Sequence, residues 1–180
     1  KGTAGGLPFE IRIINAHIRF GKSEDDTEGA IAMRKNEFIV LAKTIYAKEA
    51  DKRYGNFLPA YTILLGDYNL NLPDSTANSP YLEETIDITE SGKVYKKVIS
   101  KQSELTTLKI PQQDEVEAKE NQIYANNYDH FTYDSIRFDS IETTCKKIDS
   151  VKKYYKGDLG EHRKEVSDHV PIVMEINLKK

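Results

Sequence analysis

Three stretches of the chain put acid, amide and imidazole groups at the edge of an apolar run. "IINAHIRF" carries Asn15 and His17 near the end of a β-branched segment, two residues apart and so on one face of a strand. "ILLGDYNLN" ends its apolar run on Asp67 and Asn69, with the same spacing. "EVSDHVPIV" sets Ser167, Asp168 and His169 immediately before a closing apolar run. Each residue type has its own chemistry. A carboxylate binds a hard cation such as Mg²⁺, which takes oxygen ligands and keeps several waters. An Asn amide donates to a phosphate oxygen while its carbonyl orients a water. A histidine carries a proton or, when charged, donates to a developing oxyanion. Together they suit metal-assisted attack of water on phosphorus. Covalent Ser or Cys catalysis suits them poorly, because neither nucleophile has an evident base in the sequence.

Taken one at a time, these residues have plainer readings. "GDYN" resembles the Gly-Asp-X-Asn turns that close many strands. Asp168 could be a cap or turn residue. His17 alone reads more simply as a satisfied strand histidine. The case for chemistry is the combination, three times over, at the ends of strands.

The elements that must carry them follow from periodicity. "FEIRIINAHIRF" alternates and then turns apolar, which predicts a strand. "GKSEDDTEGA" reads as a polar loop able to cap a helix. From Glu28 to about Tyr54, Ile31, Phe38, Leu41, Ala42 and Ile45 recur at helical spacing, with Arg34, Lys35, Glu37, Lys43 and Lys48 between them. "YGNFLPA" breaks that helix and "YTILLG" is a short buried strand. "TIDITESGKVYKKVIS" predicts a hairpin around Glu90-Ser91-Gly92, and "KIPQQDEVEAKENQ" a charged surface loop. "YDHFTYDSIRF" and "VPIVMEINL" are strands. "TTCKK" reads as a solvated helix or turn, and "CKKIDSVKKYYKGDLGEHRKE" as an exposed excursion in which His162 is a loop histidine. A long helix between apolar strands predicts a mixed α/β or α+β layered domain covering residues 1–180.

Composition narrows the class. The chain has 180 residues, 38% hydrophobic and 31% charged, with net charge −3 and pI near 5.9. A domain that grips nucleic-acid backbone is usually basic, so the totals lend that partner no support. The single cysteine, Cys145, excludes an internal disulfide and a cysteine-based zinc cluster, and is read as structural. No run approaches transmembrane length and no signal peptide is visible. The chain starts at Lys1, which leaves the compartment open between cytoplasm and secretion.

"IINAHIRFG", "ILLGDYNLN", "NNYDHFTYDS" and "VSDHVPIVMEI" resemble four successive signatures of the endonuclease/exonuclease/phosphatase superfamily, the DNase I-like fold. "GDYN" is similar to its Gly-Asp-Phe-Asn motif with Tyr68 for Phe, and "SDHVPI" to its Ser-Asp-His-X-Pro motif. The resemblance implies a four-layered α/β sandwich and Mg²⁺-dependent cleavage of a phosphoester, with Mn²⁺ as the substitute ion. It implies His169 as general base or acid beside the scissile phosphate, oriented by Asp129. His17 would contact a phosphate oxygen, and Asp67 would position the attacking water or a metal. Asn69 would hold the phosphate, Asp168 would be a metal ligand, and Asn15 would support substrate binding. "DH" occurs twice, and the pair in "SDHVPI" takes the catalytic place. His130 is then expected on the opposite face of its strand from Asp129.

The family also has an N-terminal half whose Glu is the principal metal ligand. Here sixteen residues precede His17, and Glu10 lies within the strand. The chain therefore reads as the C-terminal portion of such a domain, completed by an N-terminal segment or by self-association. Two functions follow. One is a metal-dependent phosphodiesterase, nuclease or phosphatase acting on a nucleic acid, lipid or small phosphate ester. The other is a non-catalytic binding module of the same fold, lacking that Glu. Mg²⁺ binding and hydrolysis separate them.

Overall fold

Strand β4, Tyr61–Asp67, has a partner on each side and apolar cover on each face. That is why "YTILLG" is a continuous apolar run and not an alternating one. The computed structural model describes residues 2–4, 7–19, 28–53, 60–109, 123–139 and 141–178. The capping loop, the helix-breaking "YGNFLP" stretch and the charged "IPQQDEVEAKENQ" loop fall wholly or mostly outside them. Two short strands, β1 (Gly2–Ala4) and β2 (Leu7–Phe9), pair antiparallel at the start of the chain.

Around β4 runs a five-stranded mixed sheet. Strand β3, Ile11–Asn15, pairs with it in parallel, from Ile11 opposite Tyr61 to Asn15 opposite Leu65. Parallel neighbours need a long crossover, and here it is helical. It comprises α1 (Glu28–Val40), a π-helical segment (Leu41–Tyr46) and α2 (Ala47–Asp51). On the other side of β4 come β7 (Asp129–Asp134), β6 (Lys93–Lys101) and β5 (Thr85–Glu90), all antiparallel. The β5–β6 hairpin turns on Ser91 and Gly92, with φ of 50° and 78°. Left-handed values at both central residues are what a tight two-residue hairpin demands, and glycine supplies the second at no steric cost.

The helix differs from its expected stripe. Arg34, Phe38, Ala42, Tyr46 and Ala50 are buried, spaced four apart, while Ile45 is 42% exposed. In a uniform α-helix a spacing of four drifts by roughly 40° per step. The wider π turn takes out part of that drift and keeps the stripe on the sheet. It turns Tyr46 inward, where its hydroxyl donates to the Thr62 carbonyl at 3.0 Å and accepts from the Asp134 N–H at 2.6 Å.

A second sheet has two strands, β8 (Ile141–Lys147) and β9 (Ile172–Leu178), in antiparallel register from Ile141 opposite Leu178 to Lys147 opposite Ile172. "TTCKK" is thus strand, not solvated helix or turn. Cys145 packs beside Ile63, Phe131, Tyr133, Ile172 and Met174 in the core between the two sheets. Burial pushes its thiol up to about 11, in keeping with a structural role. The opposite face of the large sheet packs Leu64, Ile86 and Val98 against Phe38, Ala42 and Tyr46. The architecture is α+β: helix, five-stranded sheet, two-stranded sheet.

The expected exposed excursion after β8 is a pair of short helices, α3 (Ser150–Tyr155) and α4 (Leu159–Glu165). Asp149 caps the first through the Lys152 N–H at 3.0 Å, and Asp158 the second through the Glu161 N–H at 2.8 Å. Val151 packs beneath them with Leu108, Tyr124 and Val170. His162, expected in an exposed loop, is fully buried within α4. Among the described residues no helix is long and apolar enough to cross a membrane.

Candidate active site

The antiparallel register of β4 with β7 sets Asp67 directly opposite Asp129. Two carboxylates therefore share one end of the sheet. The segment Thr106–Leu108 brings in the third group, because Thr107 bridges His169, Leu108 N–H donates to the Asp168 carbonyl at 2.8 Å, and Val170 N–H to the Thr106 carbonyl at 2.9 Å. His169 Nδ1 then lies 2.8 Å from Asp129 Oδ2. Its other nitrogen, Nε2, is 3.7 Å from Asp67 Oδ2. His17 reaches the same oxygen from the third side, with Nε2 at 3.9 Å. The last two separations are ion-pair distances, too long for direct hydrogen bonds.

One glycine makes the approach of His17 possible. Gly66 has φ of 141°, and a Cβ there would lie 1.8 Å from the Ala16 carbonyl oxygen. Without a side chain at 66, the ladder continues past β3: Ala16 N–H donates to Leu65 and Ile18 N–H to Asp67, each at 2.9 Å. His17 is thereby fixed beside Asp67 while 71% of its side chain stays in solvent. Asn15 is exposed on the same edge.

Asp67 and Asn69 do close a turn as well. Asn69 has φ of 50°, and its N–H donates to Asp67 Oδ1 at 2.8 Å. The Asn69 amide donates to the Ile18 carbonyl at 2.7 Å and is almost fully buried, tying this turn to the end of β3. Tyr68 is fully buried between Phe38 and His130, with its hydroxyl donating to Thr132 Oγ1 at 3.1 Å. His130 faces away from Asp129, buried, with Nε2 2.7 Å from the Leu70 carbonyl. Burial lowers its pKa, disfavouring the charged imidazole.

The electrostatics follow from the crowding. Burial raises the Asp67 pKa, the Asp129 charge adds to this, and the Asn69 N–H with the two histidines offsets part of it. For His169, burial opposes the charged form. The hydrogen bond to Asp129 and the charges of Asp129, Asp67 and Asp168 outweigh it, and the pKa is raised above the ordinary histidine value. Asp168 itself is largely exposed, with its carboxyl 3.8 Å from Arg163 Nη2. It stands outside the group formed by Asp67, Asp129 and His169.

Those three residues are a possible metal-binding triad, each offering one ligand atom within 4.8 Å of the others. Two carboxylate oxygens suit a hard cation that keeps several waters. Carboxylate and water ligands suit Mg²⁺ and Mn²⁺ alike, and an imidazole in the set extends the range toward Zn²⁺ or Fe²⁺.

Sequence reasoning missed the asparagines that shape the loops. Asn127 donates from Nδ2 to the carbonyls of Gln102 and Glu104, both at 2.7 Å, and accepts from Leu72 N–H at 3.2 Å. Asn71 Oδ1 accepts from the Asn127 N–H at 2.7 Å. Both are fully buried. The only signal was an amide in "NLN" and "NNYD" close to a strand end, where a side chain can satisfy loop backbone.

Comparison of the chain with protein-family models, with curated proteins and with solved structures gave no match.

Proposed function

We propose that the chain is a metal-dependent phosphoester hydrolase, using water activated between His169 and Asp67. The observation that carries this is the single imidazole of His169, bonded to Asp129 through Nδ1 and facing Asp67 through Nε2. Because the Asp129 carboxylate only accepts, Nδ1 carries the hydrogen and Nε2 is the basic nitrogen. That nitrogen takes a proton from a water lying within reach of both Nε2 and Asp67. The water oxygen forms its bond to phosphorus as the bond to the leaving oxygen breaks on the opposite side. The leaving oxygen departs with the bonding pair and is protonated from solvent. His17, exposed on the same edge, donates to a phosphoryl oxygen.

Asp67 and Asp129 would hold the cation, Mg²⁺ or Mn²⁺, while Asp168 faces Arg163 and lies outside that group. Such an ion supplies positive charge against the phosphoryl oxygens and acidifies a bound water. Asn15 borders the place where the phosphate would sit, while Asn69, its amide donating to the Ile18 carbonyl, holds the turn behind Asp67. The two facing sheets with a helix outside them support the reading of a DNase I-like sandwich. Strand β3 has a described neighbour on one side only, and Ile11 and Ile13 are exposed along it. That edge supports completion by a further segment or by self-association.

The test is hydrolysis of bis-p-nitrophenyl phosphate with Mg²⁺ and with EDTA, for the chain and for His169→Ala. Metal-dependent turnover that the substitution abolishes is expected. Turnover unchanged by EDTA, or retained by His169→Ala, would overturn the mechanism. No turnover together with no Mn²⁺ binding would favour the binding-module reading.

A further inference from the structure

Ser150 and His162 form a buried pair away from the acids of the site. Ser150 Oγ lies 2.7 Å from His162 Nε2, and His162 Nδ1 lies 2.9 Å from the Ser167 carbonyl oxygen. A carbonyl only accepts, so Nδ1 carries the hydrogen, Nε2 is the acceptor, and the Ser150 hydroxyl donates to it. Hydroxyl to imidazole to fixed acceptor is the pattern of an activated nucleophile. Here the imidazole is fully buried and Ser150 is 6% exposed, so a substrate has no approach. The tautomer is instead locked for a different purpose.

Apart from Ser150, the groups His162 bonds lead to the segment bearing Asp168 and His169. The His162 carbonyl accepts from Val166 N–H at 2.9 Å and from Ser167 N–H at 3.2 Å. One residue therefore holds Ser167 by both its N–H and its carbonyl. Ser167 in turn accepts, through Oγ, from the His169 N–H at 3.1 Å. The next residue, Arg163, works from the outer side: Nη1 donates to the Leu108 carbonyl at 3.0 Å, and Nη2 approaches Asp168. Tyr155 closes the pocket edge-on, with ring centroids 5.1 Å apart. Ser150 anchors the whole clasp to α3.

We propose that His162 is a positioning residue, which fixes the Ser167 peptide group and so sets the angle at which His169 meets Asp129. The geometric part stands on these bonds alone, and its consequence for turnover rests on the hydrolase reading above. Removing the Nδ1 donor leaves the part-buried Ser167 carbonyl without its donor, and the segment relaxes to find water.

An Asn side chain places its amide nitrogen near the position of Nδ1, and a Gln side chain near that of Nε2. His162→Asn should therefore keep the bond to Ser167, and His162→Gln should lose it. The measurement is amide hydrogen exchange at His169 and Val170, referenced to Leu64 in the central strand. Exchange at both sites is expected to be about tenfold faster in the Gln variant than in the Asn variant, the size of one lost hydrogen bond, with Leu64 alike in both. In turnover assays the Gln variant should lose kcat by about tenfold with KM unchanged, and the Asn variant should recover it. Equal exchange in the two variants, or acceleration at Leu64 to the same degree, would overturn the proposal and leave His162 a packing residue. If neither variant folds, Ser150→Ala takes their place: selective acceleration at His169 and Val170 is expected, and uniform acceleration overturns it. A wild-type chain with neither turnover nor Mn²⁺ binding would count against the hydrolase reading, while the exchange result would still decide the positioning role.

Discussion

Asp129, the first residue of β7, and His169, forty residues later in the segment that leads into β9, meet at 2.8 Å. The bond does two things at once. It presents Nε2 of the imidazole toward Asp67, and it holds the histidine more basic than usual against the opposing effect of burial.

Asp129→Asn should separate these effects. Catalysis by His169 as base requires its neutral form, so activity should rise with pH through the raised His169 pKa. In the variant that rise should move to lower pH, toward the ordinary value of about 6.5. The maximal rate should fall by roughly 10²–10⁴-fold, as expected when the base keeps its place in the chain but loses the carboxylate that orients it. The pH–rate profile reads both. The same linkage has a stability counterpart. The charged His169 contributes stability below its unfolded pKa of about 6.5, and this contribution is lost as pH rises through the higher folded value. Urea titrations of the metal-free protein across that window should show the loss in the wild type and a smaller one in the variant.

Asp67→Asn should raise stability while it destroys function. Burial and the facing Asp129 disfavour the ionised carboxylate, so its folded pKa stands above the unfolded one. Such a group stabilises the fold below its unfolded pKa and loses that contribution as pH rises through the folded value. At neutral pH the neutral amide removes the cost, and its carbonyl can still accept from Asn69. The metal-free variant should therefore have a higher denaturation midpoint near pH 7 than the wild type. Mn²⁺ affinity, followed by the paramagnetic signal of the free ion, should drop. An unchanged affinity would remove Asp67 from the ligand set.

Gly66→Ala tests the backbone under the site. The added methyl would collide with the Ala16 carbonyl, and a φ of 141° is strained for any L side chain. A loss of at least about 3 kcal/mol is expected from denaturant unfolding. If the variant folds, His17 is displaced from Asp67 and activity is lost with it. A variant of wild-type stability would mean that β3 does not run this close to β4.

Much of this was legible in the chain. Strands β3, β4, β7 and β9 were visible because apolar and β-branched residues cluster over a few positions, and such patterning is a local property. The residues for the site were visible for the same reason: an acid, amide or imidazole at the end of such a run stands out against it. The errors came where local signal and tertiary environment disagree. "TTCKK" has the polarity of a surface turn, yet it is a strand because β9 supplies its ladder and the larger sheet covers Cys145. "GEHRKE" looks solvated around His162, yet the ring is buried because Ser150 and the Ser167 carbonyl satisfy both of its nitrogens.

The sequence by itself determined which groups stand at the strand ends, since periodicity and turn chemistry act within a few residues. It also determined the helix-crossed, sheet-rich class of the fold. Only the tertiary structure decided which of those groups meet. Asp67 faces Asp129 through an antiparallel register, and His169 arrives through a bridge to Thr107. Asp168, beside it in sequence, turns away toward Arg163. These are pairings between distant parts of the chain, chosen by ladder register and by the burial of one sheet against another. No local pattern encodes them.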